Sequence, residues 1–218
     1  MQTPKKSFIP AAVCFTAFIL WTVALRYGDV QPIGPNGTAV GFATLNGYVH
    51  SLTGVCMPIY TVTDWLGLVP VAIGFAFAVL GLVQWIRRKH ILKVDRSIVL
   101  LGIFYLLVLG VYLLFESVVI NYRPVLIDGR VEVSYPSSTT LLTLCVIPTA
   151  MWQLHRRIKR PVFRYIIQTI LILFMLFMVV GRLLAGVHWI TDIVGGALLS
   201  AGMVLLYDAA CSRNCGVS

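Results

Sequence analysis

Residues 163–207 read FRYIIQTILILFMLFMVVGRLLAGVHWITDIVGGALLSAGMVLLY. Two strongly apolar runs, 163–180 and 190–207, flank a short stretch in which Arg182, His188 and Asp192 stand with five and then three residues between them. Each run approaches the ~20 residues that carry a helix across a bilayer. Only helices or closed barrels satisfy their backbone in lipid, and the ten-residue alternation of barrel strands is absent. Ionisable residues at the edge of a membrane span are costly, so they read first as functional.

Working outward, four more runs have the same character: 8–25, 65–86, 98–117 and 139–154, the last short and interrupted by Pro148. The expected fold is all-α, a polytopic six-transmembrane-helix bundle forming one membrane domain over residues 1–218. Composition agrees. The chain is 59% hydrophobic and 11% charged, with mean hydropathy +0.90, whereas soluble domains carry about 25% charge. The run 8–25 follows Lys5 and Lys6 but is long for a cleaved leader, so it is expected to remain as the first span.

A net charge of +9 would suggest nucleic acid in a soluble protein. Here the charges sit in short loops between spans, and no nucleic-acid partner is expected. Thirteen of the 17 lysines and arginines fall on one side: Lys5, Lys6, the cluster from Arg87 to Arg96, the cluster from Arg156 to Arg164, and Arg213. Arg26, Arg123, Arg130 and Arg182 fall on the other. The basic side is expected to be cytoplasmic. In a cell membrane both termini are then cytoplasmic, and the loops after spans three and five face the exoplasm. Cys14, Cys56, Cys145, Cys211 and Cys215 have no metal-ligand spacing and read as packing residues or free thiols; no metal or cofactor is expected.

Phe42, Leu45, Val49, Leu52 and Val55 recur at helical spacing, as in a surface-lying amphipathic helix. Residues 125–133 read as a small hairpin about Asp128-Gly129. Gly67, Gly74 and Gly81, and Gly196 with Ser200, have the spacing of close helix packing. Tyr135 and Trp189 are expected to be membrane-interface aromatics.

Arg123-Pro124 closes span three, and Tyr135-Pro136-Ser137-Ser138-Thr139-Thr140 opens span four. Two arginines, a run of hydroxyls and the N–H groups of a helix start would make a phosphate cradle. Histidine can attack phosphorus, and an aspartate one turn on can fix its tautomer.

Arranged in order, these stretches resemble the type 2 phosphatidic acid phosphatase and haloperoxidase family. Its motifs are Lys-x6-Arg-Pro, Pro-Ser-Gly-His and Ser-Arg-x5-His-x3-Asp. Here they read Glu116-x6-Arg123-Pro124, Pro136-Ser137-Ser138-Thr139 and Gly181-Arg182-x5-His188-x3-Asp192, with the resemblance extending over roughly residues 40–208. It implies that His188 forms a phosphohistidine and that Asp192 orients its ring. It implies that Arg123, Arg182 and Ser137, with Ser138 and Thr139 beside them, bind phosphate, without a metal. The membrane members of the family act on phosphatidate-like or isoprenyl phosphates, so the partners are a lipid phosphate or diphosphate and the bilayer.

Three positions depart from the pattern: Gly181 for serine, Glu116 for lysine, and Thr139 for the histidine that protonates the leaving group. Threonine cannot supply that proton near neutral pH. An alkoxide leaving group needs it; a phosphate leaving group, with its second pKa about 6, needs it much less. Glu116 lies seven residues before Arg123, about two helical turns, and is expected on the same helix face ~10 Å deeper. This predicts a buried, neutral acid standing in for the missing histidine, or else a carboxylate paired with an arginine. The expected activity is an integral membrane lipid phosphatase. The alternatives are a pseudoenzyme that binds lipid phosphates without turnover, and a phosphotransferase passing the phosphoryl group to an acceptor other than water.

Overall fold

The computed structural model describes residues 7–214; Lys5, Lys6 and Cys215 lie outside the described residues. The elements are α1 (Ile9–Tyr27), α2 (Ala43–Thr53), α3 (Met57–Leu66), α4 (Leu68–Arg88), α5 (Arg96–Ser117), α6 (Ser138–Arg157), α7 (Pro161–Leu184) and α8 (Ile190–Asn214). Prolines open α1 and α7 where their missing N–H costs nothing. No strand forms among the described residues, and the all-α expectation holds for a multi-pass membrane protein.

Among the described residues, five segments are long and apolar enough to cross a membrane: α1, the 32 residues Met57–Arg88 that join α3 to α4, α5, α7 and α8. The sixth expected span, α6, is not among them. Its interior explains this. Thr140, Thr143, Thr149 and Gln153 are buried, and α6 packs chiefly on α7 and α8. A helix walled in by others needs no lipid-facing apolar surface, so polar residues are allowed if they find partners. All but Thr143, whose hydroxyl is buried without one, do: Gln153 Nε2 donates to the Tyr207 hydroxyl at 2.9 Å and to the Ser97 carbonyl at 2.9 Å. Thr149 lies 3.2 Å from the Tyr105 hydroxyl, and the Ser200 hydroxyl reaches the carbonyls of Gly196 and Leu141.

The small residues act as packing sites. A Cβ on Gly196 would press on Thr140 and the Ser137 carbonyl, and one on Gly81 would press on Ile98. Gly67 differs: its nearest atoms belong to its own helix turn, at the α3–α4 junction.

Two ends of the bundle are distinguishable. At one, Arg88 and Arg157 converge on Asp95, at 2.9 and 3.6 Å, and Arg213 lies over the Phe8 ring. This end gathers the basic clusters. At the other, Trp21 Nε1 donates to the Thr191 carbonyl at 3.2 Å, and Asn46 of α2 bonds the Thr191 hydroxyl at 2.9 Å. The expected amphipathic segment is α2, which leaves Leu45, Tyr48 and Leu52 exposed.

The Asp128-Gly129 turn forms, with φ +48° and +75° and paired N–H···O bonds between Ile127 and Arg130 at 3.1 and 2.9 Å. Both positive φ values suit a two-residue hairpin turn. The ladder resumes with Arg123 N to the Glu132 carbonyl at 2.9 Å. Between these pairs, Pro124, Val125 and Leu126 oppose Val131 alone. Pro124 has no N–H to give the ladder, so the hairpin stays a turn with isolated bridges. Tyr135 and Trp189 correct the expectation of interface aromatics, because both are buried. Tyr135 stacks on Phe18 and shares a 2.6 Å hydrogen bond with Thr22; Trp189 Nε1 donates to the Tyr122 carbonyl at 2.8 Å.

Candidate active site

The end opposite the basic clusters carries the candidate site. Chain reversal between α7 and α8 delivers His188. Gly186 turns there with φ +68°, and a Cβ on it would stand 1.9 Å from the Gly54 carbonyl, so glycine is required by both conformation and space. Cys56 N bonds the Ala185 carbonyl at 3.1 Å and ties the reversal to the start of α3.

His188 is 3% exposed. Its Nε2 lies 3.3 Å from Arg182 Nη2, and its Nδ1 lies 3.7 Å from Asp192 Oδ2, too far for a hydrogen bond. Asp192 instead accepts the Trp189 backbone N–H at 2.9 Å. Trp189 is the residue before α8, and Asp192 is the third residue in. This is the reach-back half of a capping box, and it fixes the backbone adjacent to His188. Asn121 and Ser134 also face the Asp192 carboxyl. Burial, then the charges of Arg123 and Arg182, push the His188 pKa well below its ordinary value of 6.5. The shift favours the neutral ring, and because a guanidinium only donates, Nε2 turns its lone pair toward Arg182.

Arg182 is 1% exposed. Its Nη1 lies 3.4 Å from Thr63 Oγ1 and 3.6 Å from Asp64 Oδ1, and its guanidinium sits 5.1 Å from the centre of the Tyr60 ring. Its Nε is buried without a partner. Arg123 extends from the loop, not from α5. Its Nε stands 3.1 Å from Glu132 Oε2, out of line for a hydrogen bond, and its Nη1 is buried and unpartnered. Buried cationic N–H groups without acceptors are costly; gathered around a neutral imidazole, they fit an anion.

Ser137 caps α6. Its Oγ accepts from Thr140 N at 3.5 Å and from the Thr140 hydroxyl at 3.0 Å, and its own N–H donates to the Asp192 carbonyl at 3.2 Å. A small cleft ends on His188, walled by Tyr112, Glu116, Ser134, Tyr135 and Ser138 among others. Ser138 and Glu116 thus share this cleft with the histidine, while Ser137, Thr139 and the arginines lie outside its lining.

Glu116 corrects the sequence expectation in two ways. It is exposed rather than buried. It also shares no helix face with Arg123, because α5 ends at Ser117 and the arginine belongs to the hairpin. The carboxylates that do pair with the arginines are Glu132 and Asp64. Sequence reasoning passed over Tyr60, Thr63 and Asp64 because the second span was placed to begin at residue 65. An acidic residue at the mouth of a long apolar run was the available signal.

The PAP2 superfamily model matches residues 116–210. The matched segment runs from Glu116 through both arginines, His188 and Asp192, and is narrower than the resemblance expected from about residue 40. Over that segment, less than half of the chain, the protein is similar to the PAP2 superfamily. No curated protein matches it in sequence. Among solved structures, it is similar to the first transmembrane PAP2-type phosphatidylglycerolphosphate phosphatase from Bacillus subtilis. The TM-score is 0.55 at 16% identity, covering 94% of this chain and 97% of the other. At that identity the likeness is one of fold, and it takes in the helices that precede the matched segment.

Proposed function

We propose that the protein is an integral membrane phosphatase that removes phosphate from a lipid phosphate or isoprenyl diphosphate through a phosphohistidine. One observation carries the reading: the neutral His188 lies 3.3 Å from Arg182, amid buried guanidinium N–H groups of Arg182 and Arg123 that have no acceptor. A phosphoryl group would satisfy those donors and stand against the ring nitrogen. His188 Nε2 would form the N–P bond as the P–O bond to the leaving group breaks, and the arginines would stabilise the charge gathering on the equatorial oxygens. Water would then cleave the N–P bond, returning neutral histidine and free phosphate. Asp192 supports the imidazolium character of the intermediate and holds the backbone beside it.

Ser137 and Ser138, at the start of α6, supply further donors to the phosphate. Glu116, on the wall of the cleft, is the candidate proton donor in the absence of the family histidine. The charge asymmetry between the two ends favours an exoplasmic site with both termini cytoplasmic.

Thr139 favours a second reading, a binding protein that keeps the pocket without turnover; transfer of the phosphoryl group to an acceptor other than water is a third. Phosphate release by the purified protein from a panel of lipid mono- and diphosphates decides among them. Release supports the phosphatase. Binding without release supports the pseudoenzyme, and labelled product on a second lipid without free phosphate supports the transferase.

A further inference from the structure

The guanidinium of Arg182 is used unequally along its edges. Nη1 is engaged by α3, through Thr63 Oγ1 at 3.4 Å and Asp64 Oδ1 at 3.6 Å. Tyr60 covers its π face. Nε has no partner, and Nη2 meets only the His188 ring. Nε–H and Nη2–H form one parallel fork, the geometry that grips two oxygens of a phosphate. This fork is the edge beside the histidine.

Tyr60, Thr63 and Asp64 fall at i, i+3 and i+4 and so share one face of α3. The Thr63 hydroxyl donates back to the Ile59 carbonyl at 2.8 Å, which leaves its lone pairs turned to Arg182. Gly181 permits the contact. A Cβ there would stand 2.8 Å from Thr63 Cγ2, so α3 seats against α7 only because the residue before the arginine has no side chain. The position at which the chain departs from the family serine is thus the position that admits α3.

We propose that Thr63, Asp64 and Tyr60 are positioning residues for the phosphate clamp: α3 holds the Nη1 end of Arg182 so that its Nε–Nη2 fork faces the phosphoryl group on His188. The inference rests on the phosphate site proposed above and deepens it. Asp64 does not compete with phosphate, because it occupies the opposite end of the guanidinium. Its side chain is 58% exposed, so the pair is partly screened and its effect modest.

The test is orthophosphate binding by calorimetry, together with kcat and KM for phosphate release, on the purified full-length protein. Asp64→Asn and Thr63→Val are each expected to weaken orthophosphate binding about threefold to fivefold, and the double variant about tenfold or more. KM should rise by the same factor, with kcat changed less than about twofold. Asp64→Glu should recover binding, which a merely structural role would not predict. Gly181→Ser should weaken binding by displacing Thr63; if it fails to fold, the exposed Asp64 variants still decide. Unchanged or tighter binding in Asp64→Asn overturns the proposal, as does wild-type protein that binds no orthophosphate. If the wild type binds orthophosphate, the Asp64 series behaves as expected and no lipid phosphate is hydrolysed, then the phosphatase reading fails while the clamp stands.

Discussion

Asp192 accepts the backbone N–H of Trp189 at 2.9 Å while lying 3.7 Å from the ring of His188. The same carboxylate therefore starts α8 and faces the nucleophile, and two substitutions separate these roles. Asp192→Asn keeps an oxygen for Trp189 but loses the charge; it is expected to fold normally and lose most of the phosphatase rate. Asp192→Ala also loses the cap, with about 1 kcal/mol of stability. Rates and thermal midpoints of the two variants check this. Equal thermal midpoints would remove the capping role.

His188→Ala removes the attacking atom. Phosphate release is expected to vanish, while orthophosphate binding through Arg123 and Arg182 persists. Wild-type turnover in this variant would eliminate His188 as nucleophile.

The pH profile follows from the surroundings of His188. Its pKa is lowered by burial and by two cations, so the neutral, nucleophilic form persists below the ordinary 6.5. The acid limb of kcat/KM, which reports the free enzyme, should fall below that value. Arg123→Gln removes one cation and should move the limb upward. A limb at or above 6.5 in the wild type contradicts the assignment.

Thr139 predicts substrate preference. Diphosphate lipids, whose leaving group is a phosphate, should give higher kcat/KM than monoesters. Thr139→His should raise monoester hydrolysis more than diphosphate hydrolysis. Glu116→Gln provides the companion measurement. If Glu116 donates the proton, monoester turnover falls and KM stays constant; an unaltered monoester rate assigns Glu116 to the cleft wall alone.

Orientation is measured by cysteine labelling in intact cells, after removal of the native cysteines. Arg130 and Lys93 are both exposed, at opposite ends of the bundle. A cysteine at Arg130 should react with an impermeant reagent, and one at Lys93 should not. The reverse pattern inverts the topology.

Apolar run length made most of the bundle readable, because a lipid-facing helix must announce itself in composition. The inward-facing α6 escaped the full criterion: its residues answer to other helices, not to lipid. The triad of Arg182, His188 and Asp192 was legible because its spacing is local to one chain reversal. The partners of its arginine were not. Tyr60, Thr63 and Asp64 lie more than a hundred residues upstream, and only tertiary packing across Gly181 brings them near. Glu116 misled for a related reason, since its offset from Arg123 has helical meaning only if the helix continues, and α5 ends one residue later.

The enclosed position of α6 also bears on how the protein is made. Gln153 finds a partner in Tyr207, and Ser200 and Gly196 seat the first turn of α6; all three lie on α8, which leaves the ribosome after α6. Until α8 is synthesised, the polar face of α6 lacks these mates and keeps only those on α5, the Ser97 carbonyl for Gln153 and the Tyr105 hydroxyl for Thr149. Biogenesis then cannot proceed as one independent insertion after another. The α6 segment must wait, shielded by the insertion machinery or lodged at the headgroups, until α8 completes both its packing and the site. A nascent chain arrested before Ile190 should leave α6 open to protease, and one extended through Asn214 should protect it.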